Sequence, residues 1–373
     1  EKNRPCGYSP LAGSGEPYFR ALNVLNVVAS EADSWGVQLA ETLRNALLLL
    51  AEINAPLTQL EALFTDRQFR HDALTRCRAE SVIRFWQRYE ELSPDRQHAF
   101  ALPVLNKISL LLSTPSLRKI LGHPHPFDLG AHLNTPGSLT LVSLAVDEMH
   151  AAGRMMGRMI LSSICREVFS RVQVGEGSRN PVRLYVDEFE HFGQAEFETI
   201  LAEGRRFGLS LVLAHQTLSQ LSPKMRSMIL NNVGTKLVLR CGREDASVLS
   251  KDLMGDEYRL ELEKLRVGDA VLWQRSGTLV QIQVNEPLLE SVGSQSAECR
   301  AFVDAIYRQV PQFIEPAPPR FVPSAPPENR VPRNRARAQV EPEEEAPKEA
   351  VHRPKNPKPR GAKPNMEDWL APD

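Results

Sequence analysis

Apolar residues recur at helical spacing throughout residues 18–121 of the 373-residue chain. The clearest stripe has intervals of three or four positions and consists of Leu39, Leu43, Leu47 and Leu50. Such a stripe lies along one face of an α-helix and is typical of a helix that packs against a core. Further helices are predicted at residues 57–64, 67–78, 80–92 and 96–112. The pattern therefore predicts an all-α block of about a hundred residues.

From residue 138 the pattern changes to short apolar runs that alternate with helical segments. Runs of this length are typical of buried strands, and their alternation with helices predicts a parallel sheet. The predicted strands are 138–146, 182–186, 209–214 and 235–240, and the predicted helices are 149–172, 194–206, 224–230, 243–254 and 288–309. An antiparallel hairpin is predicted where residues 269–273 and 278–284 flank Arg275, Ser276 and Gly277.

Composition limits the possible classes without indicating a function. Lys and Arg total 45 against 46 Asp and Glu, so the charge balance neither indicates nor excludes a nucleic-acid partner. Five scattered cysteines without a CxxC spacing favour reduced thiols over a disulfide framework or a zinc site. The longest uninterrupted apolar run, residues 46–51, is far below the ~20 residues that span a bilayer, so no membrane span is predicted in this chain.

Two adjacent carboxylates, Asp187 and Glu188, follow the strand predicted at residues 182–186. In open α/β sheets, ligands bind outside the carboxyl ends of the parallel strands. An aspartate at that position can hold Mg²⁺ directly or through water, and the next glutamate can orient or deprotonate a water molecule. Acidic residues are also common at strand ends, so this pair alone does not identify a site.

Gln216 makes the interpretation more specific, because it follows the next predicted strand at residues 209–214. A glutamine at a neighbouring strand end is suited to contact the γ-phosphate of a nucleotide or the attacking water. Asp187, Glu188 and Gln216 together therefore predict a nucleotide site at the carboxyl edge of the sheet.

Three segments, residues 184–189, 200–209 and 213–221, resemble those of the HerA/FtsK-type hexameric DNA-pumping ATPases. Within that group they are most similar to the TraD/TraG-like coupling proteins of conjugative type IV secretion. Residues 35–36, 44–47 and 103–107 fit the same pattern, so the resemblance extends over most of residues 1–290.

The resemblance implies an α/β fold, in which a partial RecA-like P-loop NTPase parallel sheet carries an inserted all-α domain. It implies that residues 1–17 are a remnant of the nucleotide-binding core, 18–121 the inserted domain and 122–310 the motor core. Residues 311–373 are expected to form a disordered tail, because residues 315–373 contain half of the chain's 28 prolines.

The resemblance also implies ATP and Mg²⁺ as cofactors and a homo-hexamer that moves DNA toward a type IV secretion channel. Relaxase and channel proteins are the further partners that it implies. The expected location is cytoplasmic, at the inner face of the bacterial inner membrane.

Roles for individual residues follow from the same resemblance. Asp187 is expected to bind nucleotide through Mg²⁺, Glu188 to align the attacking water, and Gln216 to contact that water or the γ-phosphate. Arg205 resembles an arginine finger, which is an arginine that acts on the nucleotide of a neighbouring subunit. A solvated cation at a helix end is the alternative, more so for Arg206 than for Arg205. Arg240, at the tip of the strand predicted at residues 235–240, is a further candidate for the nucleotide site.

A phosphate-cradling G-x-x-x-x-G-K-[ST] loop does not occur in the sequence, and Gly13-Ser14-Gly15 lacks the lysine that such a loop needs. The chain begins at Glu1, so one explanation is a cut downstream of the loop. The alternative is a non-hydrolysing adaptor that recruits relaxase or secretion partners. The presence of Asp187, Glu188 and Gln216 favours the first explanation. Residues 1–373 alone are not expected to hydrolyse ATP, because nothing cradles the phosphates.

Overall fold

The computed structural model describes residues 6–283, except 33, 145, 254 and 256–258, and also residues 301, 302, 304 and 305. The α-helices of this part are α1 (Pro17–Ser30), α2 (Val37–Glu52), α3 (Leu60–Thr65), α4 (Arg67–Arg76), α5 (Glu80–Glu90), α6 (Pro94–Leu112), α7 (Pro115–Leu121), α8 (Leu129–Leu133), α9 (Val146–Phe169), α10 (Gln194–Glu203), α11 (Pro223–Asn232), α12 (Arg243–Leu253) and α13 (Arg259–Lys264). The strands are β1 (Val182–Val186), β2 (Leu209–Leu213), β3 (Thr235–Val238), β4 (Asp269–Gln274) and β5 (Leu279–Gln283).

Helices α1 to α7 pack around one apolar cluster, as the helical spacing of residues 18–121 predicted. The stripe on α2 lies at its centre, where Leu43, Leu47 and Leu50 are 0% exposed. Trp86 of α5 is also fully buried, and its ring centroid lies 5.4 Å from that of Phe64. Burying one large apolar side chain contributes about 1.5–3 kcal/mol, so this cluster holds the helices together.

The long helix α9 connects the helical block to the sheet that follows it. The backbone of His150 is not helical, with φ 47° and ψ −121°, so the regular helix begins after a kink. Met155, Met156 and Met159 are 1–3% exposed and pack into the cluster formed by α1 to α7. Further along, Ile164 and Val168 pack against β1 and β2, so α9 belongs to both cores.

Strands β1 and β2 are parallel and pair in register from Val182 opposite Leu209 to Val186 opposite Leu213. Their inner face packs against α9 and α10. The outer face is not covered, since Tyr185 is 69% exposed and Val212 is 50% exposed. The parallel pairing agrees with the prediction. The sequence also predicted that these strands are buried, and the exposed outer face disagrees with that prediction. Within the described residues no layer packs on that outer face.

Residues 138–146 do not form the predicted strand. Residues 138–144 have no regular secondary structure, and Leu139 and Leu141 are 77% and 86% exposed. An apolar run becomes a strand only when another strand supplies its backbone hydrogen bonds. Among the described residues β1 pairs with β2 alone, so this run has no such partner.

The strand predicted at residues 235–240 ends at Val238 and does not extend the parallel sheet. Instead β3 pairs antiparallel with β4, and β4 pairs antiparallel with β5. The predicted hairpin is therefore confirmed for residues 269–283, and β3 pairs with it as a third strand. Lys236 of β3 is buried, with its Nζ 4.0 Å from the ring centroid of Trp273 and 3.2 Å from a carboxylate oxygen of Asp252.

The helix predicted at residues 288–309 and the tail predicted at 311–373 lie outside the described residues, except that 301, 302, 304 and 305 are helical. No single helix of the described part is long and apolar enough to cross a bilayer. Helices α6 and α7 pass that test together, but they are bent by 101°.

Candidate nucleotide site

Asp187 and Glu188 follow directly on β1, and Glu188 has a left-handed backbone with φ 49° and ψ 45°. A non-glycine residue in this region costs on the order of 1–3 kcal/mol, which the surroundings must offset. Phe189 supplies that support because its side chain is 0% exposed and its N–H donates to the carbonyl of Ala214 at 3.2 Å. The Phe189 ring packs edge-to-face against those of Phe197 and His215, with centroids 5.3 and 5.6 Å away.

The side chains of Glu188 and Gln216 meet at this edge of the sheet. Nε2 of Gln216 donates a hydrogen bond to Oε1 of Glu188 at 3.0 Å. The second carboxylate oxygen of Glu188 lies 3.8 Å from Nε2 of His191, and its side chain is 48% exposed. The carboxylate is therefore oriented by its neighbours and still open to solvent.

Asp187 is exposed, and its Oδ1 accepts the backbone N–H of Glu188 at 3.0 Å. Within the described residues no group of three or more His, Cys, Asp or Glu side chains could hold a metal ion. Mg²⁺ in nucleotide sites is commonly held by one or two carboxylates, with water and phosphate oxygens completing its shell. The exposed carboxylate of Asp187 fits that role.

The glycine-rich segment Gly13–Gly15 does not fit a phosphate cradle. The hydroxyl of Ser14 donates to the carboxylate of Glu167, and Nη1 of Arg20 donates to the carbonyls of Gly13 and Gly15 at 2.8 and 2.9 Å. These contacts tie the segment to α1 and to the C-terminal part of α9. Asp187 and Glu188 thus fit the part of a nucleotide site that binds the metal and the water. The segment Gly13–Gly15 does not fit the loop that binds the phosphates.

Arg205 and Arg240 are not part of this cluster. Arg205 lies in a 3-10 turn, Gly204–Phe207, which leads into the amino end of β2. Since a five-residue strand rises about 3.3 Å per residue, this end lies roughly 13 Å from the carboxyl edge that carries Glu188. Arg240 is exposed beyond β3, which belongs to the other sheet. No hydrogen bond or ion pair within the described residues joins either arginine to Asp187, Glu188 or Gln216.

Sequence reasoning missed the residues that support this site. No role in the site is predicted from the sequence for Phe189 or His215. An apolar residue directly after two exposed carboxylates was the available signal, because it must turn back toward the core. The positive φ of Glu188 had no signal in the sequence, since glycine is the usual residue in that region.

Comparison with protein families matches residues 181–290 to the family described as the TraM recognition site of TraD and TraG. The matched segment includes β1 to β5 and therefore contains Asp187, Glu188 and Gln216. No curated protein sequence matches the chain.

Solved structures give the fold. The bacterial conjugative coupling protein TrwBdeltaN70, in its unbound monoclinic form, superposes with a TM-score of 0.52 at 16% identity, covering 76% of this chain and 72% of that chain. Its trigonal form with sulphate gives 0.50 at 15% identity, covering 76% and 73%. VirB4 of Thermoanaerobacter pseudethanolicus gives a TM-score of 0.45 at 12% identity, covering 76% of this chain and 74% of that chain.

The predicted α/β, RecA-like fold is thus confirmed by the likeness to TrwB. The family match over residues 181–290 also confirms the resemblance seen in the sequence, for which the HerA/FtsK-type ATPases are the broader group. The chain is similar to the conjugative coupling proteins of type IV secretion.

Proposed function

We propose that this chain is part of an ATP-driven DNA translocase, a coupling protein that moves DNA through a hexameric ring toward a type IV secretion channel. The observation that carries the proposal is the 3.0 Å hydrogen bond between Gln216 and Glu188, which links two adjacent strand ends. That pair lies inside the segment that matches the TraD and TraG family.

Each polar residue at the carboxyl edge has a proposed role in ATP hydrolysis. Bound ATP and Mg²⁺ would supply the transferred phosphoryl group and most of the charge neutralisation. Asp187 would hold the metal, and the exposed carboxylate of Glu188 would orient a water molecule. Gln216 would fix the rotamer of Glu188 through its amide and present its carbonyl oxygen to the same water. The buried ring of Phe189 would keep the backbone of Glu188 in place.

Arg205 and Arg240 have proposed roles of different kinds. Because Arg205 lies at the amino edge of the sheet, it would act on the nucleotide of a neighbouring subunit. An arginine finger of this type can contribute ~10³–10⁵ in rate. Arg240 would approach the nucleotide only if β3 joined the same continuous sheet in the assembled protein.

The organisation of the chain and its partners belong to the same proposal. Residues 18–121 would be a helical domain inserted in a motor core formed by residues 1–17 and 122–310, with 311–373 as a tail. DNA, a relaxase and channel proteins would be the partners, and the family description adds a TraM-like protein. The site of action would be the cytoplasmic face of the inner membrane.

The test is the substitution Glu188→Gln in the full-length natural protein. We expect ATP binding to persist and turnover to fall at least ~10²-fold, because water activation is lost and ground-state contacts are not. Glu203→Gln is a matched control, since Glu203 is an exposed carboxylate on α10. Weakened ATP binding with normal turnover at saturation would contradict the role of Glu188. Absence of any turnover in the unsubstituted protein would favour the non-hydrolysing adaptor.

A further inference from the structure

The turn that carries Arg205 is held from several sides. The N–H of Gly208 donates to the carbonyl of Arg205 at 3.1 Å, and the carbonyl of Gly208 accepts the N–H of Val182 at 2.9 Å. Gly208 has φ 79°, a left-handed conformation that closes the turn and suits glycine. The ring of Phe207 is buried and lies edge-to-face on Phe169, with the centroids 5.0 Å apart.

Arg179 approaches this turn from the loop before β1. Its Nε donates to the carbonyl of Val174 at 2.8 Å, and its Nη1 donates to the carbonyl of Arg206. The centre of its guanidinium lies 5.5 Å from the ring centroid of Phe207. The planar guanidinium of Arg179 therefore contacts the loop before β1, the backbone of the turn and the ring of Phe207. A lysine cannot reproduce these contacts, because an ammonium group has neither the N–H donors in fixed directions nor the flat face of a guanidinium.

The same turn gathers positive charge that the described residues leave unpaired. The guanidinium of Arg206 lies 5.7 Å from the centroid of the same Phe207 ring. In the described part of the chain, no carboxylate forms an ion pair with Arg179, Arg205 or Arg206. Neighbouring like charges repel, and an anionic partner such as a phosphate relieves that repulsion.

We propose that Arg179 is a positioning residue for Arg205, holding the turn Gly204–Phe207 so that Arg205 meets the phosphates bound to a second copy of this chain. The proposal rests on the proposed function, in which Arg205 acts on a neighbouring subunit. A second copy suits the charge pattern, because the exposed carboxylates of Asp187 and Glu188 lie at the opposite edge of the sheet.

Hydrogen–deuterium exchange tests the structural step without relying on activity. In the full-length protein, Arg179→Ala should accelerate exchange of the amides in residues 204–208 at least ~10-fold, because the carbonyl of Arg206 loses its donor and Phe207 loses its cover. Arg183→Ala is the matched control, since Arg183 is an exposed cation at the same end of β1 whose side chain forms no hydrogen bond or ion pair with these groups in the described part of the chain. Unchanged exchange in Arg179→Ala would overturn the proposal.

ATP turnover by the assembled protein tests the functional step. Arg179→Ala should lower kcat at least ~10-fold and leave the KM for ATP within about twofold, because the ground-state contacts are untouched. Arg179→Lys should be impaired as well, since geometry and not charge is lost, whereas Arg183→Ala should behave as the unsubstituted protein. Full turnover by Arg179→Lys, or equal losses in Arg179→Ala and Arg183→Ala, would show that net charge alone matters.

Two further outcomes distinguish a failure of the Arg179 proposal from a failure of the proposed function. Full turnover by Arg205→Ala rings would overturn the proposed action of Arg205, and with it the purpose of Arg179. Loss of turnover in Arg205→Ala with normal turnover in Arg179→Ala would overturn the Arg179 proposal alone. Weaker DNA binding by Arg179→Ala, with normal kcat at saturating DNA, would assign Arg179 to the DNA backbone instead.

Discussion

At the scale of single residues, the candidate site depends on the left-handed backbone of Glu188, a conformation that any residue with a Cβ atom disfavours. Glu188 adopts a left-handed conformation and is followed by Phe189, which is fully buried. The burial of Phe189 between Phe197 and His215 offsets the strain and directs the carboxylate toward Gln216. Strain of this kind is common where a reactive group must be held in one orientation.

Replacing Glu188 by glycine or alanine separates backbone strain from side-chain chemistry. Glu188→Gly should be more stable than Glu188→Ala by about 1 kcal/mol, because glycine adopts positive φ without a Cβ clash. Both variants lack the carboxylate and should be equally inactive in ATP hydrolysis. Thermal melts of the two proteins side by side measure the difference. A more stable alanine variant would mean that Glu188 does not hold the left-handed conformation.

Alkaline pH should destabilise the fold through the half-buried thiol of Cys165. Burial, together with the nearby charge of Glu196, raises the pKa of Cys165 from 9.0 to about 12. Since the pKa is higher in the folded state, the stabilisation is complete below about pH 9 and is lost as the pH rises toward 12. Burial also raises the pKa of Cys6 to about 11 and that of Tyr8 to about 12, which adds to the effect.

Melting temperatures measured between about pH 8 and about pH 10 should therefore fall with rising pH, and more gently in Cys165→Ala. Each fully titrating group contributes at most about 1.4 kcal/mol per pH unit. An identical slope in Cys165→Ala would show that the thiol does not remain protonated in the folded protein.

At the scale of elements, the helical block is stabilised by apolar residues that its helices bury in one cluster. Helix α2 is the clearest case, because Leu43, Leu47 and Leu50 are inaccessible while Val37 at its first turn is 87% exposed. The same helix thus contains positions where an apolar side chain contributes to the core and positions where it does not.

Leu47→Ala should destabilise the helical block by about 2–5 kcal/mol, because a cavity replaces a fully packed side chain. Val37→Ala on the same helix should change stability by less than about 0.5 kcal/mol. Chemical denaturation followed by the fluorescence of Trp86, which lies in this core, measures both changes. Similar effects of the two substitutions would contradict the packing of α2.

At the scale of the whole molecule, the groups proposed to act on one nucleotide lie at opposite edges of one sheet. Glu188 and Gln216 lie at the carboxyl edge of β1 and β2, and Arg205 lies at the amino edge. A head-to-tail arrangement of copies brings such edges together, and rings are built from interfaces of this heterologous kind.

Mixing two inactive variants tests this arrangement. Rings of Arg205→Ala alone and of Glu188→Gln alone should each lack ATP turnover. Mixed rings contain some interfaces at which an intact Arg205 meets an intact Glu188, so part of the turnover should return. Demonstrably mixed rings without any recovery would place Arg205 in its own subunit's site or in a structural role.

The sequence by itself determined the features that depend on local spacing. The stripe on α2 follows from a periodicity of 3.6 residues, the strands β1 and β2 from short apolar runs, and the hairpin of β4 and β5 from two such runs on either side of a turn. The position of Asp187, Glu188 and Gln216 after two parallel strands followed for the same reason. A pattern of this kind fixes which face a side chain occupies within its own element.

Only the tertiary structure decided what depends on distant partners. Residues 138–144 contain four apolar residues, as β2 does, yet they form no strand because no described strand offers them backbone hydrogen bonds. β3 pairs with β4 and not with the parallel sheet, and the turn carrying Arg205 accepts a hydrogen bond at the carbonyl of Arg206 from Arg179, 27 positions earlier in the sequence. Strand pairing and the hydrogen bonds of side chains such as Arg179 are contacts between residues far apart in the sequence. The local spacing of apolar residues does not indicate which distant group will supply such a contact.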